Sequence, residues 1–349
     1  MSNPTVGHIT PSPEQAAVLN APVDADVLVV AGAGSGKTFT MTQRVIRLID
    51  QGVPPERILG LTFTRKAASE LLSRVSAVTS EGALAPTVST YDAFFQSIVR
   101  QYGLLVGFDQ HTQPLSEAGA LQLASQVIDE HFDRLAGRDM GAFASLASQV
   151  IALSNAIGGS MIGGGCDSID EGIERVRAWD HGFADCLNRA IGDEPVSESE
   201  PGKPRKPRGK KDIERRLAQW REAMFAYLHQ VCLMRADDLR SVVVKRETLL
   251  DMVAAYNKAK RRLNMAEFSD FTIAAYQLVT RFDSIGEECR RRYSHVLLDE
   301  YQDTSTTQAM LLASLFHAGG SMADGQRSAV SAVGDPFQSI YAWRGASPG

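Results

Sequence analysis

Residues 27–38 constrain this chain more than any others. Val27-Leu28-Val29-Val30 is a short apolar run of buried-strand type, and it leads directly into Ala31-Gly32-Ala33-Gly34-Ser35-Gly36-Lys37-Thr38. Behind that glycine-rich turn an amphipathic stretch runs to Asp50, with Gly52 as its stop. A strand, a turn of small residues and a helix in that order form a cradle for phosphate. Backbone N–H groups curl around the oxygens, and the helix N-terminus adds positive potential. In such a cradle Lys37 reaches the β and γ phosphates of a nucleoside triphosphate, and the Thr38 hydroxyl joins the shell of a Mg²⁺ ion. Ala31 stands where the strict pattern has glycine, a position that asks only for a small side chain.

The rest of the chain reads as alternation with an interruption. Ile58 to Phe63 predicts a buried strand and Lys66 to Val78 a helix. Thr87-Val88-Ser89 then predicts a strand, followed by a helix over Phe94 to Tyr102. Strands alternating with helices imply a parallel sheet covered on both faces. From about Ser116 to Phe282 the pattern is almost wholly helical. Strand-like sequence returns at His295 to Leu298 and Ala329 to Val333, separated by a helix from Thr306 to Phe316. The expected fold class is therefore α/β, with residues 1–110 and 266–349 forming one sheet domain and 111–265 a helical subdomain inserted into it.

Within the insertion, Ile213, Leu217, Trp220, Met224, Tyr227, Val231 and Met234 recur at spacings of four and three, the signature of a helix's core face. Residues Glu194 to Lys211 are rich in Pro, Gly and charge and predict a flexible loop. Its cations, Lys203, Arg205, Lys206, Arg208, Lys210 and Lys211, read first as a solvated surface. A contact with DNA phosphates is the alternative.

Composition narrows the class. At 349 residues, 44% hydrophobic and 22% charged, the chain is expected to be globular. Its net charge of −5 argues against a surface coated with basic residues, yet leaves room for a local basic groove. No apolar run approaches the roughly 18 residues of a membrane span. The N-terminus has no basic-then-apolar leader. Cys166, Cys186, Cys232 and Cys289 include no close pair of metal-ligand type, so a reducing cytoplasmic setting is expected.

Two further segments carry chemistry. Val296-Leu297-Leu298-Asp299-Glu300 is an apolar strand ending in two carboxylates. Asp299 is suited to the Mg²⁺ shell, and Glu300 to the attacking water. The stretch from Gly334 to Gly345 follows another strand and contains Gln338, a neutral donor and acceptor suited to sensing a γ-phosphate. It also places Tyr341 and Trp343 beside Arg344, a combination suited to stacking on unpaired bases. A P-loop kinase would leave this last segment without a role.

With these segments in view, the chain resembles the UvrD/Rep/PcrA family of superfamily 1 DNA helicases. Matching stretches occur in the family's order. They are Pro13-Glu14-Gln15, the phosphate loop, Leu61 to Ala68, Ser89 to Phe94, Asn264 to Phe271, Asp299-Glu300-Tyr301-Gln302-Asp303 and the Gln338 segment. The resemblance covers about 10–110 and 256–346. It implies a RecA-like sheet, with the helical insertion as subdomain 1B. It also implies Gln15 reading adenine, Gln338 coupling nucleotide to DNA, and Phe63, Arg65, Tyr341 and Trp343 along a single-strand track.

Departures from the family pattern are Tyr301 for an aromatic Phe, Ser269 and Phe271 for an acidic and an aliphatic residue, and Phe39 for an adenine-packing arginine. The variants over Tyr91 to Phe94 and Asp335 to Gln338 look closest to actinobacterial AdnAB-type helicase-nucleases. The family implies ATP and Mg²⁺ as cofactors, and single-stranded or duplex-junction DNA as partner. It also implies 3′-to-5′ translocation and a second RecA-like domain carrying arginine fingers. No such domain follows in this sequence, so weak or absent turnover by the chain itself is expected, with a partner chain or C-terminal half completing the site. The competing expectation is a nucleotide- and DNA-binding module without useful turnover.

Overall fold

The computed structural model describes residues 11–32, 34–77, 84–109, 111–135, 140, 142–209, 212–317, 322 and 327–339. Ser12 opens the first helix, α1 (Pro13–Leu19), with a capping box. Its hydroxyl accepts from Gln15 N, and its own N–H donates to Gln15 Oε1 at 2.9 Å. The apolar run forms β1 (Val27–Val30), and α2 (Lys37–Asp50) starts directly behind the glycine turn. β2 (Ile58–Thr62), α3 (Arg65–Ser76), β3 (Thr87–Thr90) and α4 (Tyr91–Tyr102) complete the first alternation. The helix α4 starts three residues earlier than its hydrophobic pattern predicts, because the Thr90 hydroxyl caps it by accepting from Ala93 N at 3.2 Å.

A short strand β4 (Gln113–Pro114) precedes α5 (Glu117–Glu130), α6 (Phe132–Leu135), α7 (Phe143–Ser160), α8 (Ile169–Ile191) and the 50-residue α9 (Ile213–Arg262). Next come β5 (Met265–Ala266), α10 (Phe268–Arg281), α11 (Asp283–Arg292), β6 (His295–Leu298), α12 (Thr306–Phe316) and β7 (Ala329–Gly334).

Among the described residues the main sheet has the order β1-β7-β6-β2-β3, all neighbours parallel, and β4 pairs with β5 in a second, two-stranded sheet. Alternate residues of β2, β6 and β7 feed two cores, whereas Leu28 and Val30 of β1 are exposed. Val29, Leu297 and Val333 pack with Met41, Val45 and Leu48 of α2 and with Leu71 and Val75 of α3. On the other face Leu59, Leu61, Val296 and Leu298 pack with Phe94, Phe95, Ala274, Leu278, Leu311 and Leu315. The continuous apolar reading of β6 follows from this burial on both faces.

The chain divides into two compact units. One comprises Met1–Ala120, Ser154–Ile169 and Lys260–Gly349, and the other Leu121–Leu153 and Asp170–Ala259. Residues 154–169, inside the stretch expected to be wholly insertion, thus group with the sheet. Thr307 of α12 anchors them, its hydroxyl lying 2.6 Å from the Gly158 carbonyl and 2.9 Å from that of Ile162. In the second unit the buried Asp180 of α8 accepts from Arg246 Nε at 2.7 Å, and Arg177 bonds Glu247 and Asp251 of α9. The expected core stripe on α9 is corrected here: Ile213 is exposed, and Leu217, Trp220, Met224, Tyr227, Val231 and Met234 are only half-buried. Helical periodicity identifies a face that prefers cover; the depth of that cover depends on what lies over it.

Two buried cations fix connectors. Lys260 is held at 2.9 Å from Glu267 and 2.7 Å from Asp270. Burial opposes its charge, but the two carboxylates outweigh that and keep the ammonium above its ordinary pKa. Arg44 of α2 donates to the Ala21 and Pro22 carbonyls, both at 2.7 Å, and His295 Nε2 lies 3.0 Å from the Val23 carbonyl. Together they clamp the turn that carries α1 against the sheet. Arg44→Met keeps the aliphatic stem but leaves those carbonyls unmet. It is expected to cost about 2–4 kcal/mol in urea unfolding and to weaken ATP-analogue binding through the loosened α1. An unchanged midpoint would show that the clamp is dispensable.

Candidate nucleotide site

Parallel strands send all their carboxyl ends to one edge of the sheet, so the loops after β1, β7 and β6 lie side by side. Those loops carry the phosphate loop, the Gln338 turn and the Asp299-Glu300 pair. The backbone stitches the first two together, with Ala31 N donating to the Gly334 carbonyl at 3.1 Å.

The phosphate loop is built from its own backbone. Ser35 N and Oγ both donate to the Gly32 carbonyl, at 3.3 and 2.7 Å. Gly36 sits at φ 83°, where a Cβ would also lie 2.8 Å from Gln15 Nε2. Only glycine meets both demands. Gln15 in turn donates to the Ser35 carbonyl at 2.9 Å, so the adenine-reading candidate is bonded to the loop itself. Lys37 and Thr38 occupy the first turn of α2, with Thr38 exposed. Ala33 lies outside the described residues.

Lys37 Nζ stands 3.7 Å from Glu300 Oε2, which brings the loop lysine against the second carboxylate. Glu300 adopts a left-handed backbone at φ 50°, an uncommon conformation for a non-glycine residue. Its N–H donates to Asp299 Oδ1 at 3.1 Å. Burial first, and then the neighbouring Glu300, push the Asp299 carboxyl up to about 6, with the Glu300 N–H and Lys37 pulling the other way. A half-buried carboxylate whose ionisation is opposed in this way gains from a cation. No cluster of three or more His, Cys, Asp or Glu side chains suited to a metal occurs among the described residues. One carboxylate, a hydroxyl and phosphate oxygens are the donor set Mg²⁺ takes at nucleotide sites, and by their chemistry Asp299 and Thr38 fit it.

Three residues that sequence reasoning did not single out complete the arrangement. Gln302 donates to Glu300 Oε2 at 2.8 Å and accepts from Asp335 N at 3.0 Å. A Cβ on Gly334 would come within 2.6 Å of Gln302 Oε1, which is why glycine ends β7. Asp335 is buried and accepts from Gln338 Nε2 and from Phe337 N. Tyr91 donates to the Asp299 carbonyl at 3.0 Å, and its ring lies 4.9 Å from that of Phe63. Burial, reinforced by the nearby carboxylates, holds the Tyr91 hydroxyl well above its ordinary pKa. Gln302 lies two residues beyond the carboxylate pair in the quoted 299–303 segment, and that adjacency was its one sequence signal.

Phe63 follows β2 and is half-buried against Tyr91, while Arg65 opens α3 and is exposed. Tyr341 and Trp343 lie outside the described residues. Phe271, a departure from the family pattern, is a core residue packed 5.7 Å from Phe108, and Ser269 bonds Asn155 at 2.8 Å. No helix among the described residues is long and apolar enough to cross a membrane.

A parallel α/β sheet with a phosphate loop behind one strand and a carboxylate pair behind a near neighbour defines a RecA-like P-loop domain. More particularly, the chain belongs to the UvrD/REP helicase N-terminal domain family, whose pattern matches residues 11–349. It is 24% identical over 332 residues to a probable DNA helicase II homolog of Mycoplasma capricolum, covering 95% of this chain and 34% of that protein. It is 29% identical over 327 residues to the ATP-dependent DNA helicase UvrD1 of Mycobacterium tuberculosis, covering 92% and 32%. One of the ATP-dependent helicase/nuclease proteins of Staphylococcus aureus is 23% identical over 429 residues, covering 93% and 34%. The chain thus spans about a third of the length of the curated relatives it matches.

The raised Asp299 carboxyl gives a pH signature. A carboxyl whose folded pKa exceeds its ordinary 3.8 adds stability below that value and loses it as pH rises through about 6. In the nucleotide-free chain, Asp299→Asn removes the penalty. Its melting temperature should match the parent's near pH 3.5 and exceed it by about 3–8 °C at pH 8. A pH-independent difference would refute the assigned environment.

Proposed function

We propose that this chain is the ATP-binding motor region of an ATP-dependent DNA helicase that translocates 3′ to 5′ on single-stranded DNA. The observation that carries the reading is the approach of Lys37 to Glu300 at 3.7 Å, from loops that follow strands separated by β7. Lys37 and the loop from Ala31 to Thr38, Ala33 included, take the triphosphate, and Gln15 reads adenine. Thr38 and Asp299 hold Mg²⁺, which when bound neutralises charge on the transferring phosphoryl group. Glu300, steadied by Gln302, orients the attacking water, and Gln338, tethered to Asp335, relays the nucleotide state. Phe63, Arg65, Tyr341 and Trp343 belong to the single-strand track, and the helical unit takes the place of subdomain 1B. Tyr91 touches both sides of this scheme, with its hydroxyl on Asp299 and its ring on Phe63.

Two substitutions test the site by binding alone. Lys37→Ala should lower affinity for a fluorescent ATP analogue by about a hundredfold without unfolding the chain, because two or more kcal/mol of charge-assisted bonding is lost. Glu300→Gln should leave that affinity equal or tighter, since it removes a negative charge that competes for Lys37. Parent-like binding by Lys37→Ala, or lost binding by Glu300→Gln, would overturn the assignment. Steady-state hydrolysis with and without single-stranded DNA separates a working motor from a nucleotide-binding module.

A further inference from the structure

Three neighbouring strands, β6, β2 and β3, lie in that order in the sheet, and a residue of interest follows each of them. Asp299 follows β6, Phe63 follows β2, and Tyr91 follows β3 as the first residue of α4. The Tyr91 side chain therefore crosses the end of β2 to reach β6. Its hydroxyl donates to the Asp299 carbonyl at 3.0 Å, and its ring packs 4.9 Å from that of Phe63.

Tyr91 is 1% exposed, and a hydroxyl buried so deeply stays in a core only with a partner. That partner is the backbone of a site residue. Asp299 N in turn donates to the Leu61 carbonyl at 2.9 Å. The Asp299 backbone is thus held at its N–H by β2 and at its carbonyl by Tyr91, and its carboxyl group hangs from a frame that those two bonds fix. Phe95 flanks the Tyr91 ring at 6.4 Å, in a close-packed core that leaves the ring little room. A displacement of the Phe63 ring is passed to Tyr91 and, through the hydroxyl, to the Asp299 carbonyl. Burial, reinforced by the nearby carboxylates, keeps that hydroxyl protonated, so it remains a donor.

We propose that Tyr91 is a positioning residue that couples two ligands of the sheet unit, so that a base stacked on Phe63 and a nucleotide held at Asp299 and Glu300 each alter the other's affinity. The inference deepens the motor reading and rests on it for the ligand at each end. What it adds is one hydroxyl, whose removal leaves the side chains of both ligand sites in place.

The test is a linkage measurement on the full chain. Affinity for a fluorescent ATP analogue with Mg²⁺ is measured with and without saturating oligothymidylate, and affinity for labelled oligothymidylate with and without saturating analogue. In the parent the two ratios should be equal, as reciprocity requires, and about fivefold or more. Tyr91→Phe keeps the ring and removes the bond. It should bring both ratios below about twofold, while each ligand alone binds within about twofold of the parent. Tyr102→Phe, which loses a hydroxyl bond to Glu288 at the far end of the same helix, should keep the parent's ratios. Phe63→Leu spares the hydroxyl bond but removes the ring contact, and it should lose the coupling as well, which tests the proposal even if Tyr91→Phe folds poorly. A Tyr91→Phe chain that weakens each ligand alone yet retains the parent's ratios would show a merely structural role and overturn the proposal. So would a parent that binds both ligands independently. A parent that binds neither ligand would overturn the motor reading, and the proposal with it.

Discussion

Everything at the candidate site depends on one constraint: parallel strands deliver their carboxyl ends to the same edge of the sheet. β7 lies between β1 and β6, and its terminal Gly334 accepts from Ala31 on one side. On the other side it leaves room for Gln302. A side chain at Gly334 would push Gln302 away, and with it the bonds to Glu300 and Asp335. The site is therefore a stitched set of three loops, with polar groups satisfied by one another where water has limited access.

That arrangement is poised rather than relaxed. Asp299 and Glu300 stand adjacent, with Lys37 as counter-charge to the second and burial raising the first to about 6. On the proposed reading, a triphosphate with its cation would supply what such a site lacks: negative charge for Lys37 and positive charge for Asp299. The left-handed Glu300 fits the same picture, since strained backbone persists where surrounding contacts over-determine it. Gln302 and Asp299 Oδ1 provide two of those contacts.

Outside the site, buried polar residues fix the connectors. Arg44 and His295 hold the turn after α1 by its carbonyls, and Lys260 with Glu267 and Asp270 fixes the entry to α10. Burial keeps His295 below its ordinary pKa, with Arg44 and Arg57 acting in the same sense, so the imidazole serves as a neutral bonding group. These residues couple the placement of Gln15 and of the loops to the sheet.

The sequence by itself determined the alternation of strands and helices, the phosphate loop and the carboxylate pair. Each is a local pattern: apolar period, glycine turn and capping residue act over a few positions, and β1, α2, β6 and α12 fall where those patterns place them. The start of α4 was legible too late, because Thr90 reads equally as strand or cap. Only the tertiary structure decided that Ser154–Ile169 belongs with the sheet, that the α9 stripe is half-covered, and that Gln302, Asp335 and Tyr91 join the site. Those outcomes depend on contacts between residues far apart in the chain, such as Tyr91 with Asp299 across 208 positions. A residue's chemistry can be read from its neighbours in sequence, but the partner that completes it is chosen by the order of strands in the sheet.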